Sequence, residues 1–140
     1  METLQKLSRR QIEALQLIGR AATPERGVAL NVIAAGLEVR SPSALGHVTM
    51  LENFGLVVRH RGKTRLTQKG QSTLLEYLRH HRVAENLFSK LGLSPDDVCA
   101  AAHEVDLAIS HKTIERLCEA ERHPSVCPHG APIPPCSKEI

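Results

Sequence analysis

This chain of 140 residues has one tyrosine, two phenylalanines and no tryptophan. A core that lacks large rings must be filled by Leu, Ile, Val and Ala, which favours packed helices. Hydrophobic residues make up 41% of the sequence, enough for one domain or two small ones sharing a core. No apolar run approaches the roughly 20 residues of a membrane span, and no secretory signal opens the chain. A cytoplasmic protein without membrane contact is expected. Cys99, Cys118, Cys127 and Cys136 are widely spaced and form no C-x-x-C pair, so reduced thiols are expected there.

The net charge is only +3, but its distribution is uneven. Arg59, Arg61, Lys63, Arg65, Lys69, Arg79 and Arg82 are opposed by Glu76 alone. Asp96, Asp97, Glu104, Asp106, Glu115, Glu119 and Glu121 follow. A basic middle beside an acidic half suggests nucleic acid for the first and cations for the second. Two differently solvated surfaces are the plainer alternative.

Ser8 is a plausible cap for a first helix with Ile12, Leu15 and Ile18 on one face. A second, in VALNVIAAGL, would bury Val32, Ile33 and Leu37. A third, from Pro42 with Ser41 as its cap, carries Leu45, Val48, Met50 and Leu51. Leu56–Val58 and Thr64–Thr67 read as strands joined by an Arg61-Gly62-Lys63 turn. Three helices with a tight turn, followed by a basic hairpin, predict a winged helix-turn-helix rather than a generic three-helix bundle.

Downstream, a long helix over about Gln68–Lys90 is expected, then one capped by Ser94-Pro95 reaching about Ile109. A last helix follows, capped by Ser110 and stopped by Pro124, and the Pro- and Gly-rich tail should be irregular. Val98, Val105, Ile109, Ile114 and Leu117 exceed what one small helical layer is expected to bury, which predicts a homodimer.

Five potential metal ligands lie on two of these helices. His81 and Glu85 are four apart; Cys99, His103 and Asp106 stand at i, i+4 and i+7. At 3.6 residues per turn each set projects from one face, and imidazole, thiolate and carboxylate are the groups that bind divalent transition metals. Each also has an ordinary alternative: a satisfied helical histidine, a solvated glutamate, a small core cysteine. Thiolate with imidazole favours Fe²⁺ or Zn²⁺, and also Co²⁺, over Mn²⁺. A tetrahedral set from His81, Glu85, Cys99 and His103 is the zinc-like option. Cys127, His129 and Cys136 are candidates for an accessory site. The cysteine spacings do not suit an iron–sulfur cluster.

The segments IAAGLEVRSPSALGHVTMLENFGLVV, LTQKG, RHHRVAENLFSKLGL and HPSVCPHGAPIP resemble the DtxR/MntR family of iron- and manganese-dependent repressors. The resemblance covers roughly residues 8 to 135. It implies a mainly α fold with a small β wing: a winged helix-turn-helix DNA-binding domain over residues 1–70 and an α-helical metal-binding and dimerisation domain over 71–140. It also implies the two-domain form, without the β-barrel domain of some members. His81 and Glu85 match family ligands. Cys99, His103 and Asp106 stand at ligand positions with changed residue types, and Glu13 matches a carboxylate ligand of the manganese-type members. Arg10 and Leu107 depart from the pattern, each replacing a ligand. Either a changed metal or ligands redistributed around His81, Glu85, Cys99 and His103 would follow, with Asp106 and Glu13 as a harder second option.

In such a fold the start of the recognition helix approaches DNA, which places Arg40, Ser41, Pro42, Ser43, Gly46 and His47 at the groove. Arg59, Arg61, Lys63 and Arg65 on the wing would hold phosphates or probe the minor groove. A metal-dependent repressor binding an inverted-repeat operator in double-stranded DNA is the expectation. A winged-helix regulator that has lost metal control is the first alternative. A metal-dependent enzyme is the second, although no catalytic motif supports it.

Overall fold

The computed structural model describes residues 2–135, so Cys136 of the anticipated tail cluster lies outside the described residues. The element order is α1 (Glu2–Lys6), α2 (Arg9–Ala21), β1 (Val28–Ala29), α3 (Leu30–Leu37) and α4 (Ser41–Asn53). β2 (Val57–His60), β3 (Lys63–Leu66), α5 (Gln68–Lys90), α6 (Pro95–Val105) and α7 (His111–Ala120) follow. The chain divides into two compact units. Leu7–Leu74 form the first; the second begins at Leu75 and also takes in α1.

In the first unit a reciprocal cap starts α2. Ser8 Oγ accepts from Gln11 N at 3.2 Å, and Ser8 N donates to Gln11 Oε1 at 3.0 Å. Ile12, Leu15 and Ile18 are buried as the spacing required, together with Ile33, Leu37, Val48 and Leu51. Val32, Leu45 and Met50 are exposed instead. Apolar spacing on helices of 8 and 13 residues left their angular position open by about a turn. Between α3 and α4, Glu38 adopts φ 56° and Val39 N donates to Ala34 O at 3.0 Å. This left-handed stop ends α3 and turns the chain. Helix α4 starts one residue earlier than expected: Arg40 is the cap and Ser41 the first helical residue.

The wing is a two-residue hairpin. Its Arg61 and Gly62 have φ 52° and 74°, the positive pair that matches strand twist, and His60 pairs with Lys63. β1 adds to β3 through Val28–Thr64 and Ala29–Lys63, making a three-stranded antiparallel sheet of order β1-β3-β2. A two-residue strand has no readable period, so sequence pattern missed it.

The LTQKG segment locks the wing to the start of α5. Thr67 Oγ1 donates to Gly55 O at 2.6 Å and accepts from Gly70 N at 3.0 Å, while Lys69 Nζ donates to Phe54 O at 2.8 Å. Gly70 permits this approach, since a Cβ there would stand 1.9 Å from Leu56 O.

In the second unit Val83, Ile114 and Ile133 form a core on which Ile109 and Leu117 pack. Val98 and Ile114 are fully buried within the single chain, so they are not the uncovered residues expected of a dimer seam. Among the described residues of this unit, Leu75, Leu91 and Val126 are the exposed large apolar ones. Helix α6 ends at Val105, short of Ile109. The Val105 carbonyl then accepts from both Ala108 N and Ile109 N at 2.9 Å. The tail is irregular but anchored to α5. Arg82 donates to Pro132 O, Asn86 Nδ2 to Val126 O at 3.0 Å, and Arg79 Nη1 to Pro134 O at 3.1 Å. No helix among the described residues is long and apolar enough to cross a membrane.

Candidate metal centre and nucleic-acid face

His81 projects from α5, Cys99 and His103 project one turn apart from α6, and their donor atoms converge. Cys99 Sγ lies 3.7 Å from His81 Nε2 and 3.6 Å from His103 Nε2. The imidazole centroids are 4.6 Å apart. Bonds of about 2.0–2.1 Å to nitrogen and about 2.3 Å to sulfur put N and S about 3.5 Å apart around a tetrahedral ion. Both sulfur–nitrogen distances match that spacing, and all three donors lie within 4.8 Å of one another.

Asp106 stands behind both rings, at the C-terminal cap of α6 and fully buried. Its Oδ2 meets His81 Nδ1 at 2.9 Å, His103 Nδ1 at 3.2 Å and the Tyr77 hydroxyl at 2.9 Å. With Asp106 as the acceptor at each Nδ1, each Nε2 would present its lone pair toward Cys99. Helical spacing had put Asp106 among the ligands. The end of α6 at Val105 places its Oδ2 against the Nδ1 atoms of both rings.

Glu85 is buried against two partners, not solvated. Its Oε1 is 3.6 Å from His81 Nε2 and its Oε2 is 3.0 Å from His129 Nδ1. Donor atoms of Glu85, Cys127 and His129 lie within 4.8 Å of one another, a second group beside the first. Of the proposed tail cluster, Cys127 and His129 thus join through Glu85, and His129 Nε2 also meets Pro95 O at 2.8 Å. Burial, with the Glu85 and Asp106 carboxylates and the Cys127 thiol, pushes the Cys99 thiol above its usual range. A bound cation would reverse that repulsion and stabilise the thiolate.

Glu13 lies on α2 in the first unit. Its carboxylate accepts from Arg10 Nη1 at 2.9 Å in an exposed pair, so the arginine that departs from the family pattern stands beside this candidate ligand.

A third group went unnoticed in the sequence: Glu76, His80 and His111. His80 is 1% exposed, and burial first, then the His111 and Arg79 charges, pushes its pKa down to about 4. The available signal was Glu76 and His80 four apart, a second i, i+4 pair just before His81 and Glu85.

On the first unit, Arg40, Ser41, Pro42, Ser43 and Gly46 are exposed and His47 is half-buried, Arg40 as the cap and the rest on the first two turns of α4. Leu45 and Met50 add exposed apolar surface to that helix. On the wing, Arg59, Arg61, Lys63 and Arg65 are exposed, and Arg59 also faces Glu52 at 3.6 Å. Arg26 and His60, not singled out from sequence, line a cleft with Arg61, Lys63 and Arg65.

The family model described as iron dependent repressor, metal binding and dimerisation domain matches residues 67–135, the stretch that carries all three groups. The chain belongs to the DtxR/MntR family of metal-dependent repressors. It is 33% identical over 104 residues to the iron-dependent repressor IdeR of Mycobacterium leprae, covering 73% of this chain and 45% of that protein. It thus spans about half the length of such DtxR/MntR relatives. A crystal structure of a hypothetical protein from Sulfolobus solfataricus aligns at TM-score 0.86 and 31% identity, over 92% of this chain and 100% of that one. The manganese regulator SloR aligns at TM-score 0.75 and 27% identity, over 92% and 61% respectively. A winged helix-turn-helix joined to a helical dimerisation domain is the fold of this DtxR/MntR member.

Proposed function

We propose that this chain is a metal-dependent, DNA-binding transcriptional repressor of metal-homeostasis genes. A divalent transition metal bound in the second unit would favour its DNA-competent homodimer. The observation that carries this reading is the convergence of His81 Nε2, Cys99 Sγ and His103 Nε2 with one buried carboxylate behind both rings.

His81, Cys99 and His103 would hold the ion, with Glu85 as fourth donor or as a bridge to Cys127 and His129. The ion supplies positive charge that turns the Cys99 thiol into a thiolate. Asp106, held by Tyr77, would fix both imidazoles in direction through their Nδ1 atoms, leaving Nε2 toward the ion. Because a thiol proton must leave, affinity falls as pH falls. Thiolate with two imidazoles favours Fe²⁺ or Zn²⁺ over Mn²⁺. The exposed start of α4 would enter the major groove and the wing arginines would hold phosphate. A two-fold dimer matches an inverted-repeat operator, and a site of action in the cytoplasm follows. No catalytic step belongs to this reading, since the polar residues serve as ligands and their supports.

The Arg10–Glu13 pair favours a second reading, a winged-helix regulator no longer under metal control. Elemental analysis of the purified protein, with operator binding measured before and after chelation, separates the two. On the first reading chelation weakens specific binding at least tenfold and Fe²⁺ or Zn²⁺ restores it. Metal-free protein that binds DNA unchanged would establish the second.

A further inference from the structure

We infer that Glu76, His80 and His111 form an additional divalent-metal site that clips α5 to α7, taking Zn²⁺ or a similar borderline cation through two imidazoles and one carboxylate. Glu76 Oε1 lies 3.7 Å from His80 Nε2 and 3.8 Å from His111 Nδ1. Nitrogen and oxygen ligands at about 2.0–2.1 Å from a tetrahedral ion stand about 3.3 Å apart. The two carboxylate–imidazole distances need to shorten by about half an ångström, and all three donors lie within 4.8 Å of one another. The rings of His80 and His111 stack with centroids 5.9 Å apart.

The state of His80 is the independent observation. It is 1% exposed, and neither of its ring nitrogens makes a hydrogen bond. A buried imidazole in that condition has lost water at both nitrogens and gained nothing in exchange. A cation between it and Glu76 would satisfy one nitrogen at once.

The surroundings suit a ligated His111 as well. Its other nitrogen, Nε2, faces Glu115 Oε1 at 3.8 Å, and Glu115 is held in place by Arg79 Nη2 at 2.8 Å and Nε at 2.9 Å. This is the carboxylate-behind-histidine arrangement that fixes ring direction in metal sites. Three protein donors leave one position for water. Because α5 and α7 supply the ligands from separate parts of the chain, occupancy should raise the thermal stability of the second unit.

Cobalt distinguishes this site from its neighbours. Both other groups contain a cysteine, Cys99 or Cys127, and cobalt there produces a thiolate charge-transfer band; this group has no sulfur. Chelator-stripped protein titrated with Co²⁺ should therefore bind an equivalent that adds ligand-field absorption but no thiolate band. His111→Gln should lose that equivalent per chain and the accompanying rise in Tm, with the thiolate band intact. Glu76→Gln, which preserves shape at a partly exposed position, should weaken the same equivalent at least tenfold, and decides the matter if His111→Gln does not fold by circular dichroism. Wild-type stoichiometry and ligand-field absorption in a folded variant would overturn the inference. Neither result depends on DNA binding or on the Cys99 site.

Discussion

The two units of this chain treat polar residues in opposite ways. Among the described residues of the first unit, the buried polar side chains are Thr64 and Thr73, and every candidate DNA contact is exposed except the half-buried His47. In the second unit Arg79, His80, Glu85, Asp106 and His111 are all buried. A surface that meets phosphate gains from charge left in water until contact, because released counterions supply the driving force. A site that selects a cation gains from donors already desolvated and aimed, because reorganisation is then small. Stability in the first unit thus rests on close packing. In the second it is linked to what the polar groups bind.

Gly70→Ala tests the packing side and should have the largest effect. Its Cβ would sit 1.9 Å from Leu56 O, a backbone atom that cannot move aside. Overpacking of this kind costs about 3 kcal/mol, to be read as a lower midpoint of denaturant unfolding, with the thiolate-cobalt band retained by whatever protein remains folded. A wild-type midpoint would mean that the wing and α5 are not locked as described.

Asp106→Asn tests the other side. As an orienting group its loss should weaken metal about 10- to 100-fold while the Cys99–cobalt band persists at saturation. Loss of the band at saturating metal would make Asp106 indispensable to the coordination itself.

Arg59→Gln with Arg61→Gly addresses the exposed charge without straining the turn, since glycine tolerates the φ of 52° at position 61. Removal of two phosphate contacts should lower the slope of log affinity against log salt by about 1.8, to a similar extent on all DNA sequences. An unchanged slope would remove the wing from the DNA face.

The smallest effect belongs to Glu121. Both of its carboxylate oxygens are buried without a hydrogen bond, and burial raises its pKa despite the opposing charge of Lys90. The folded state holds this proton more tightly than the unfolded one, so wild type loses stability as pH rises above the usual carboxylate range. Glu121→Gln should therefore raise Tm at neutral pH, by less than about 1 kcal/mol equivalent, with the gain vanishing in acid. A gain independent of pH would assign the effect to something other than charge.

Long elements with caps were readable from residues alone. Gln68–Lys90 has the anticipated bounds, and Ser8 and Ser110 cap the helices they precede. Short elements were not: β1 has two residues, and α1 lies before the first expected helix. In the site, His81, Cys99 and His103 were legible because helical spacing within a segment is a local property. Glu76, His80 and His111 escaped because their proximity depends on how α7 returns against α5, and no residue spacing encodes that.

Sequence by itself thus determined the winged helix-turn-helix, the helical second half, the family and a ligand-bearing face on each of two helices. The elements and the donor-bearing faces follow from periodicity, caps and turn chemistry, which act over a few residues; the family follows from the resemblance of whole segments. Tertiary structure alone decided which donors face each other, that Glu85 touches two groups, and that Asp106 backs the imidazoles. The physical reason is that a ligand set requires atoms from separate helices within a few ångströms, and that distance is set by packing, to which local propensity is blind.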